Sequence, residues 1–528
     1  MTMNAIRKSV IGCLILSITS QLLAQDTWET IDKKDRVAII GAGISGLFSA
    51  FLLTKKWGMN PENVTIYDKG QGNKISNYLF HSSNGKIYPV PEGAIQIPPS
   101  YQLTMYLMRR AGLQLQSHPK IQSLQSDPFS AGPGFQISDF NQSVLPKEKY
   151  QEFKKFTACY DFYADSFQKN VESDQFQIPE HPVYHGDLNS LITYCLNSSG
   201  ADLNLEEAQA LFWQYLWSYG YGQNPSAYST LYYMGALDYI LDISAGAGSF
   251  WLQPFSEGRL RMIHGGYKKL MESLSEPLES IIVRGATVTS VMRGDRPDDQ
   301  VRLTVSLSSG EELHRAFDHV IVATPFKEFI ESEILKNPED AERELAHAMR
   351  FQPYRTILGT VENLPKGIFL LPENIHKNGY PQLVTNHLGD DVPENFCIFY
   401  IPETDASRPM SETIETLKDY ARSSGMGEIK VHKANNWKNY GSYIKDDPMN
   451  QLAKTFSPDF QGKNRIFYLT SLHDTVEPNL RFTKFLMEKA TGTSFHLGAY
   501  GYLDAMQNLR QWMGSTQKTY TGSWLPES

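Results

Sequence analysis

Three glycines spaced Gly41-x-Gly43-x-x-Gly46, directly behind the apolar run Val37-Ala-Ile-Ile40, have the residue type and spacing to hold a phosphate-bearing ligand. The first glycine permits a tight turn off a strand. The second lets a pyrophosphate approach the backbone, and the third lets the following helix pack closely on the strand. A helical run at 47–56 follows at once, and a helix start offers free N–H groups and a positive dipole end to the phosphates. A second apolar strand, Val64-Thr-Ile-Tyr-Asp68, ends in a carboxylate 22 residues past Gly46, where an acid holds a ribose hydroxyl. Gly41, Gly43, Gly46 and Asp68 together predict a dinucleotide site. Asp68 suits FAD and NAD alike.

Other chemistries lack their residues. No His, Cys, Asp or Glu cluster has metal-ligand spacing, so no metal site is expected. There is no Walker loop and no G-x-S-x-G elbow. At the N-terminus, Arg7 and Lys8 precede an apolar stretch at 9–20 and the small residue Ala24, the three parts of a secretory signal. This predicts a secreted or periplasmic protein. No later run holds 18 unbroken apolar residues, so no membrane span is expected in the mature chain. Without residues 1–24, 47 Lys and Arg face 58 Asp and Glu, a net charge of −11. Such an acidic surface argues against nucleic acid or anionic lipid as partner. The sequence leaves the oligomeric state open. Cys159, Cys195 and Cys397 then remain. Their spacing fits no zinc or redox motif, and it allows either one disulfide with a thiol left over or three buried thiols.

The 528 residues are too many for one ordinary core, and 41% apolar with 20% charged residues is a globular balance. Aromatic residues make up 12%, enough for large cores or an aromatic-lined pocket. The nucleotide unit runs over 36–97, and 101–245 reads as mostly helical, with patterns at 101–112, 147–171 and 205–219. Alternating helix and strand return near 258: a helix opened by His264-Gly-Gly-Tyr267, strands at 281–283 and 287–292, a hairpin over 301–315, and an apolar strand stopped by Pro325. Residues 350–445 alternate strands (355–361, 396–400, 428–432) with one helix at 410–423. A strand at 465–470, a helix near 483–489 and a tail helix at 501–513 complete the chain. These returns of character predict two domains threaded through each other. The nucleotide domain takes 36–100, 251–330 and 456–495, the substrate domain takes 101–250 and 331–455, and 496–528 is a tail.

The order of these blocks resembles the flavin amine-oxidase superfamily of FAD enzymes. The turn at 37–56 is similar to the family's FAD-phosphate turn, and Pro91-Glu-Gly-Ala-Ile-Gln-Ile97 to the segment that passes beside the flavin. Gly265-Gly-Tyr-Lys-Lys-Leu270 resembles the family's Gly-Gly helix start, and Thr287-Val-Thr-Ser-Val291 the strand whose valine, here Val288, lies by the adenine. Val320-Ile-Val-Ala-Thr-Pro325 resembles the strand ending in Ala-x-Pro, and 465–471 falls at the last flavin strand. Within the superfamily, Trp217-Ser-Tyr-Gly-Tyr-Gly222, Pro225-Ser-Ala-Tyr228 and Leu237-Asp-Tyr239 are similar to the substrate-domain helix pair of the polyenoic fatty acid isomerases.

The resemblance implies an α/β fold: a doubly wound, Rossmann-like FAD domain interleaved with a helical and antiparallel-sheet substrate domain. It implies FAD held by Gly41, Gly43, Gly46, Asp68, Lys74, Gly93, Ala94, Val288 and Ser471. The reaction would be hydride abstraction from a small molecule: an amine, an amino acid or an unsaturated fatty acid. Catalytic aromatic walls would come from Tyr219 and Tyr221 of the helical region and Trp437 and Tyr440 of the strand region, with Trp217 and Trp251 as further candidates of the helical region. His264 precedes the Gly-Gly helix start, where it suits a capping or loop role as well as a cofactor contact, and His473 and Asp474 follow the last flavin strand, where a surface turn and a place near the flavin are both open. The chain also departs from the family. Gly72-Asn-Lys74 stands for Gly-Gly-Arg or Gly-Gly-Lys, and Thr470-Ser471 for Gly-Glu or Gly-Asp. Lys327 lies closer to Pro325 than the family's flavin-side lysine does. Three readings follow: an amine-oxidase-like oxidoreductase, a double-bond isomerase, or a binding protein that has lost catalysis.

Overall fold

A computed structural model describes residues 28–70, 75–82, 85–92, 95–97, 101–117, 121–126, 135–139, 152, 155, 188–204, 261–294, 296, 299–351, 354–371, 374, 377, 379–386, 388, 392–393, 395–403, 407–437, 442–444, 454–455, 457–469 and 476–495. Its centre is a five-stranded parallel sheet in the order Ile282–Arg284, Val64–Asp68, Val37–Ile40, His319–Val322, Ile466–Tyr468. Every residue of Val37–Ile40 and of His319–Val322 is buried. A parallel sheet covered on both faces requires such unbroken burial. The first strand in the chain lies in the middle, so strand order reverses beside it. That reversal is the place where doubly wound sheets bind their ligands.

Helices Ile44–Phe51, Tyr267–Ser275 and Val476–Thr491 cover the sheet, sharing one core through Phe48, Leu270, Leu480 and Ile321. The first begins three residues before the expected start at 47 and continues as a π-helical turn, Leu52–Lys56, closed by Trp57 N–H donating to Leu52 O at 2.8 Å. The last starts earlier and runs longer than the expected 483–489.

A second, seven-stranded sheet runs in the order Ile429–Trp437, Tyr354–Val361, Phe396–Pro402, Leu383–Thr385, Ile368–Leu370, Ile121–Ser126, Phe135–Asp139. Ile357 and Phe399 on one face pack on Leu417 and Tyr420 of helix Met410–Ser424. Leu358, Phe396 and Ile398 on the other face pack on Phe80 and Val90 of the hairpin Asn77–His81/Ile87–Pro91. The strands at 121–126 and 135–139 correct the mostly helical reading of 101–245, although helices Gln102–Arg110 and Leu188–Ser199 agree with it. Ile121 pairs with Ile368, a partner far away in sequence, and local patterning carries no trace of such a contact. The expected helices at 205–219 and 501–513, and 147–171 apart from residues 152 and 155, lie outside the described residues.

Among the described residues no helix is long and apolar enough to cross a membrane, and no group of side chains is placed to hold a metal ion. Of the two cysteine arrangements the sequence allowed, the structure has the disulfide. Cys195 is disulfide-bonded, its partner lying outside the described residues, and Cys397 is a buried free thiol.

A buried charge cluster ties the central sheet to its surroundings. The Arg293 guanidinium pairs with the Glu342 carboxylate and donates to Tyr468 Oη at 3.0 Å. Tyr468 Oη donates in turn to Glu342 Oε1 at 2.5 Å. Glu342 also closes the capping box of helix Asp340–Ala348 with Glu339. Burial, and then the Glu342 carboxylate, hold the Tyr468 phenol far above its usual pKa, so it stays a donor. Because Arg293 and Glu342 are only 2% and 3% exposed, Glu342→Ala leaves a buried cation without its counter-charge. The expected loss is about 3–5 kcal/mol in denaturant unfolding, and a loss below about 1 kcal/mol would refute a buried pair.

At the opposite end of the sheet, His319 Nε2 lies 3.1 Å from Asp35 Oδ2, with Asp318 and Arg465 nearby. Burial pushes this imidazole below its usual pKa, outweighing the attraction of Asp35. The fold therefore holds the neutral ring. Its contribution is full above about pH 6.5, the ordinary histidine value, and is lost as pH falls below it. Unfolding free energies measured across that range should decline toward acid, and His319→Gln should flatten the decline. An unchanged slope in the variant would exclude this group as its source.

Candidate cofactor and substrate site

The strand Val37–Ile40 leaves the sheet through Gly41, whose φ of +105° lies in the left-handed region that favours glycine. Gly41 N–H donates to Tyr67 O at 2.8 Å and Ala323 N–H to Ile40 O at 2.9 Å, fixing the turn between its neighbouring strands. A Cβ on Gly41 would sit 3.0 Å from Ala323 O, and one on Gly46 would sit 2.0 Å from Gly41 O. These two glycines are required by the protein's own packing. Gly43 is different: its φ is −71°, open to any residue, and a Cβ there would meet nothing within 4 Å.

Gly43 is also the N-cap of helix Ile44–Phe51 and supplies no side-chain cap. The N–H groups of Gly43, Ile44, Ser45 and Gly46 have no acceptor among the described residues. Free first-turn donors, the positive dipole end and clear space at Gly43 together form an anion cradle. Asp68 stands at its rim. Its Oδ1 accepts from Ala42 N–H at 3.4 Å, and its Oδ2 has no hydrogen-bond partner among the described residues, free for a ribose hydroxyl.

The structure places the other expected residues unevenly. Val288 is buried in the main core, on strand Ala286–Met292, just beyond the strand that pairs with Val64–Asp68. His264 is exposed in the turn ahead of Gly265 and Gly266, which take φ of +84° and +78° before helix Tyr267–Ser275. Lys327 is tied by its ammonium group to the Glu331 carboxylate and to Ala346 O at 2.9 Å, joining two helices. Lys74, Gly93, Ala94, Tyr219, Tyr221, Tyr440 and Ser471 lie outside the described residues, as do Trp217, Trp251, His473 and Asp474.

Trp437 ends the edge strand of the seven-stranded sheet, opposite Tyr354, whose ring lies 6.1 Å from that of Tyr400. Its indole Nε1–H donates to Thr356 Oγ1 at 3.0 Å. Asn435 Nδ2 donates to the same hydroxyl at 3.2 Å and to Glu92 Oε1 at 3.3 Å. Lys433 Nζ lies 2.5 Å from Glu92 Oε1, and Ser76 Oγ donates to Glu92 Oε2 at 2.7 Å. Residues 433, 435 and 437 share one face of their strand, matched by 358, 356 and 354 on the next. Of this network, the sequence reading names Trp437 as a candidate and does not single out Glu92, Thr356, Lys433 or Asn435. The period-2 spacing of polar residues before Trp437 was the available signal.

The parallel sheet, the switch point and the cradle define a dinucleotide-binding protein of the doubly wound class. The chain belongs to the family of flavin-containing amine oxidoreductases, whose model matches residues 80–409. That match begins beyond the glycine turn and Asp68, so turn and family are separate observations. No curated protein matches the sequence. Among solved structures, a CLA-producing fatty acid isomerase from P. acnes superimposes with a TM-score of 0.64 at 19% identity, covering 86% of this chain and 98% of its own. Putrescine oxidase bound to putrescine gives 0.60 at 13% identity, with 90% and 99% coverage. Cyclohexylamine oxidase from Brevibacterium oxydans gives 0.59 at 14%, with 86% and 98%. At these identities the likeness is one of fold. The cofactor is the flavin of the family, FAD, and the cradle with Asp68 fits its pyrophosphate and ribose.

The two kinds of glycine separate folding from binding. Gly43→Val should fold with an unchanged melting temperature and purify without flavin. Gly46→Ala should lose stability, because its methyl group meets the Gly41 carbonyl. A fully flavinated Gly43→Val protein would place the phosphates elsewhere.

Proposed function

We propose that the protein is an FAD-dependent oxidoreductase that removes hydride from a small organic substrate, as an amine oxidase does. The observation that carries this reading is the anion cradle around Gly43 in a chain of the flavin-containing amine oxidoreductase family. Bound FAD supplies the hydride acceptor. The protein's part is to hold the cofactor, orient the substrate and exclude water. Gly41, Gly43, Gly46 and Asp68 hold pyrophosphate and ribose, with Lys74, Gly93, Ala94, Val288 and Ser471 completing the contacts. Trp437, with Tyr219, Tyr221 and Tyr440, walls the substrate. The nucleotide domain takes 36–100, 251–330 and 456–495, and the substrate domain takes 101–250 and 331–455. The disulfide at Cys195 supports a secreted or periplasmic location, since disulfides persist in oxidising compartments.

A second reading, double-bond isomerisation of a polyunsaturated fatty acid, is supported by two observations. Lys327 is committed to Glu331 and Ala346 O and is not available to activate water or oxygen beside a flavin. Glu92, the buried carboxylate on the wall's hydrogen-bond network, is already neutralised by Lys433 and offers no free charge to an ammonium group. The absorbance spectrum of the purified protein comes first, with near-stoichiometric flavin expected. Peroxide release on an amine panel then supports the oxidase. A new conjugated-diene band with linoleic acid, without oxygen uptake, supports the isomerase. Flavinated protein inert in both assays points to a binding protein, and colourless protein that refuses added FAD overturns the proposal.

A further inference from the structure

Glu92 is a carboxylate with three side-chain partners and almost no solvent: it is 2% exposed. Its N–H donates to Ser76 O at 3.0 Å, and Ser76 Oγ returns a hydrogen bond to Oε2 at 2.7 Å. Both contacts anchor it to the hairpin side. Its other oxygen, Oε1, takes Lys433 Nζ at 2.5 Å and Asn435 Nδ2 at 3.3 Å, both from strand Ile429–Trp437. One carboxylate therefore joins two elements more than 340 residues apart in sequence.

The connection does not stop at Asn435. A side-chain amide nitrogen has two protons. Here one goes to Glu92 and the other to Thr356 Oγ1, which also accepts from the Trp437 indole at 3.0 Å. Thr356 is buried, so the donors that reach its oxygen are fixed in direction. An indole nitrogen has a single donor, and aiming that donor, with the side chain tethered to the strand at its other end, restricts the orientation of the ring. Lys433 is 40% exposed at its side chain, so its ammonium keeps contact with water while compensating the buried charge.

We propose that Glu92 is a positioning residue: through Asn435 and Thr356 its carboxylate sets the orientation of the Trp437 indole relative to the hairpin Asn77–His81/Ile87–Pro91. The consequence for chemistry rests on the reading above, in which Trp437 walls the substrate beside the flavin. Charge is essential to the role. A carboxylate accepts from Ser76, Lys433 and Asn435 together, whereas an amide at the same place offers one acceptor oxygen and two donors.

Near-ultraviolet circular dichroism tests the orientation without substrate or cofactor. The Trp437 contribution is the wild-type spectrum minus that of Trp437→Phe. The same difference is then taken in a Glu92→Gln background. The two difference spectra should diverge in the indole bands, with the Glu92→Gln contribution reduced at least twofold. Superimposable spectra would overturn the proposal. If Glu92→Gln does not fold, Asn435→Ala breaks the relay without touching the carboxylate, and the same comparison applies. With FAD bound, the visible dichroism of the flavin should change in Glu92→Gln and in Trp437→Phe, and no further in the double variant. Flavin effects that add would overturn the coupling. Wild-type protein that binds no FAD would sink the functional reading alone, because the indole comparison still decides the role of Glu92.

Discussion

The close approach of the Gly41–Gly46 turn to the strand end at Ala323 is the contact on which the rest of the molecule depends. A phosphate can be held by backbone N–H groups only where a helix start is brought hard against the end of a strand. That demands no side chain at Gly41 or Gly46, whose added Cβ atoms would meet Ala323 O or the Gly41 carbonyl at 3.0 Å or less. It also demands that His319–Val322 lie beside Val37–Ile40, although some 280 residues separate them. The chain must therefore return at His319–Val322 before the cradle can close. The site is a product of long-range folding even though its glycines lie within six residues.

Returns of this kind are held by buried polar contacts where apolar packing alone would leave the register loose. Arg293, Glu342 and Tyr468 join the strand-rich segment after 286, the helix at 340–348 and the last strand of the central sheet. Glu92, Asn435 and Thr356 do the same between the hairpin and the edge strand Ile429–Trp437. A pair of charges taken out of water gains little net stability. It fixes geometry instead, because a shift of one residue would leave a buried charge alone. Apolar contacts such as Phe80 on Phe396 lack the directional donors and acceptors of these polar clusters.

How much of this was legible in the sequence follows from how local each feature is. The strands at 37–40 and 319–322 could be read because burial on both faces writes an apolar run, the strand at 64–68 because β-branched and aromatic residues lead up to its terminal acid, and the glycine turn is punctuation within one segment. The strands at 121–126 and 135–139 could not, because what makes them strands is pairing with Ile368–Leu370. Trp437 is a candidate by residue type alone. Its partners are not, since Glu92, Thr356 and Asn435 come from three distant segments and each reads locally as an ordinary polar residue. Lys327 shows a case where local reading and geometry agree: its spacing from Pro325 already departs from that of the family's flavin-side lysine, and geometry gives it a structural task between two helices.

Gly43 gives the strongest physical argument that the cradle exists for a ligand. Its backbone conformation suits any L-residue, and no protein atom occupies the space its side chain would take. Folding alone would favour serine, aspartate or asparagine at this N-cap, each of which satisfies a first-turn N–H from within the protein. Glycine forgoes that bond, keeps the donors of residues 43–46 unspent and leaves the approach to them clear. Gly41 and Gly46 are explained by the fold. Gly43 is explained by an anion that must come within hydrogen-bonding distance of the backbone, which a dinucleotide's pyrophosphate does.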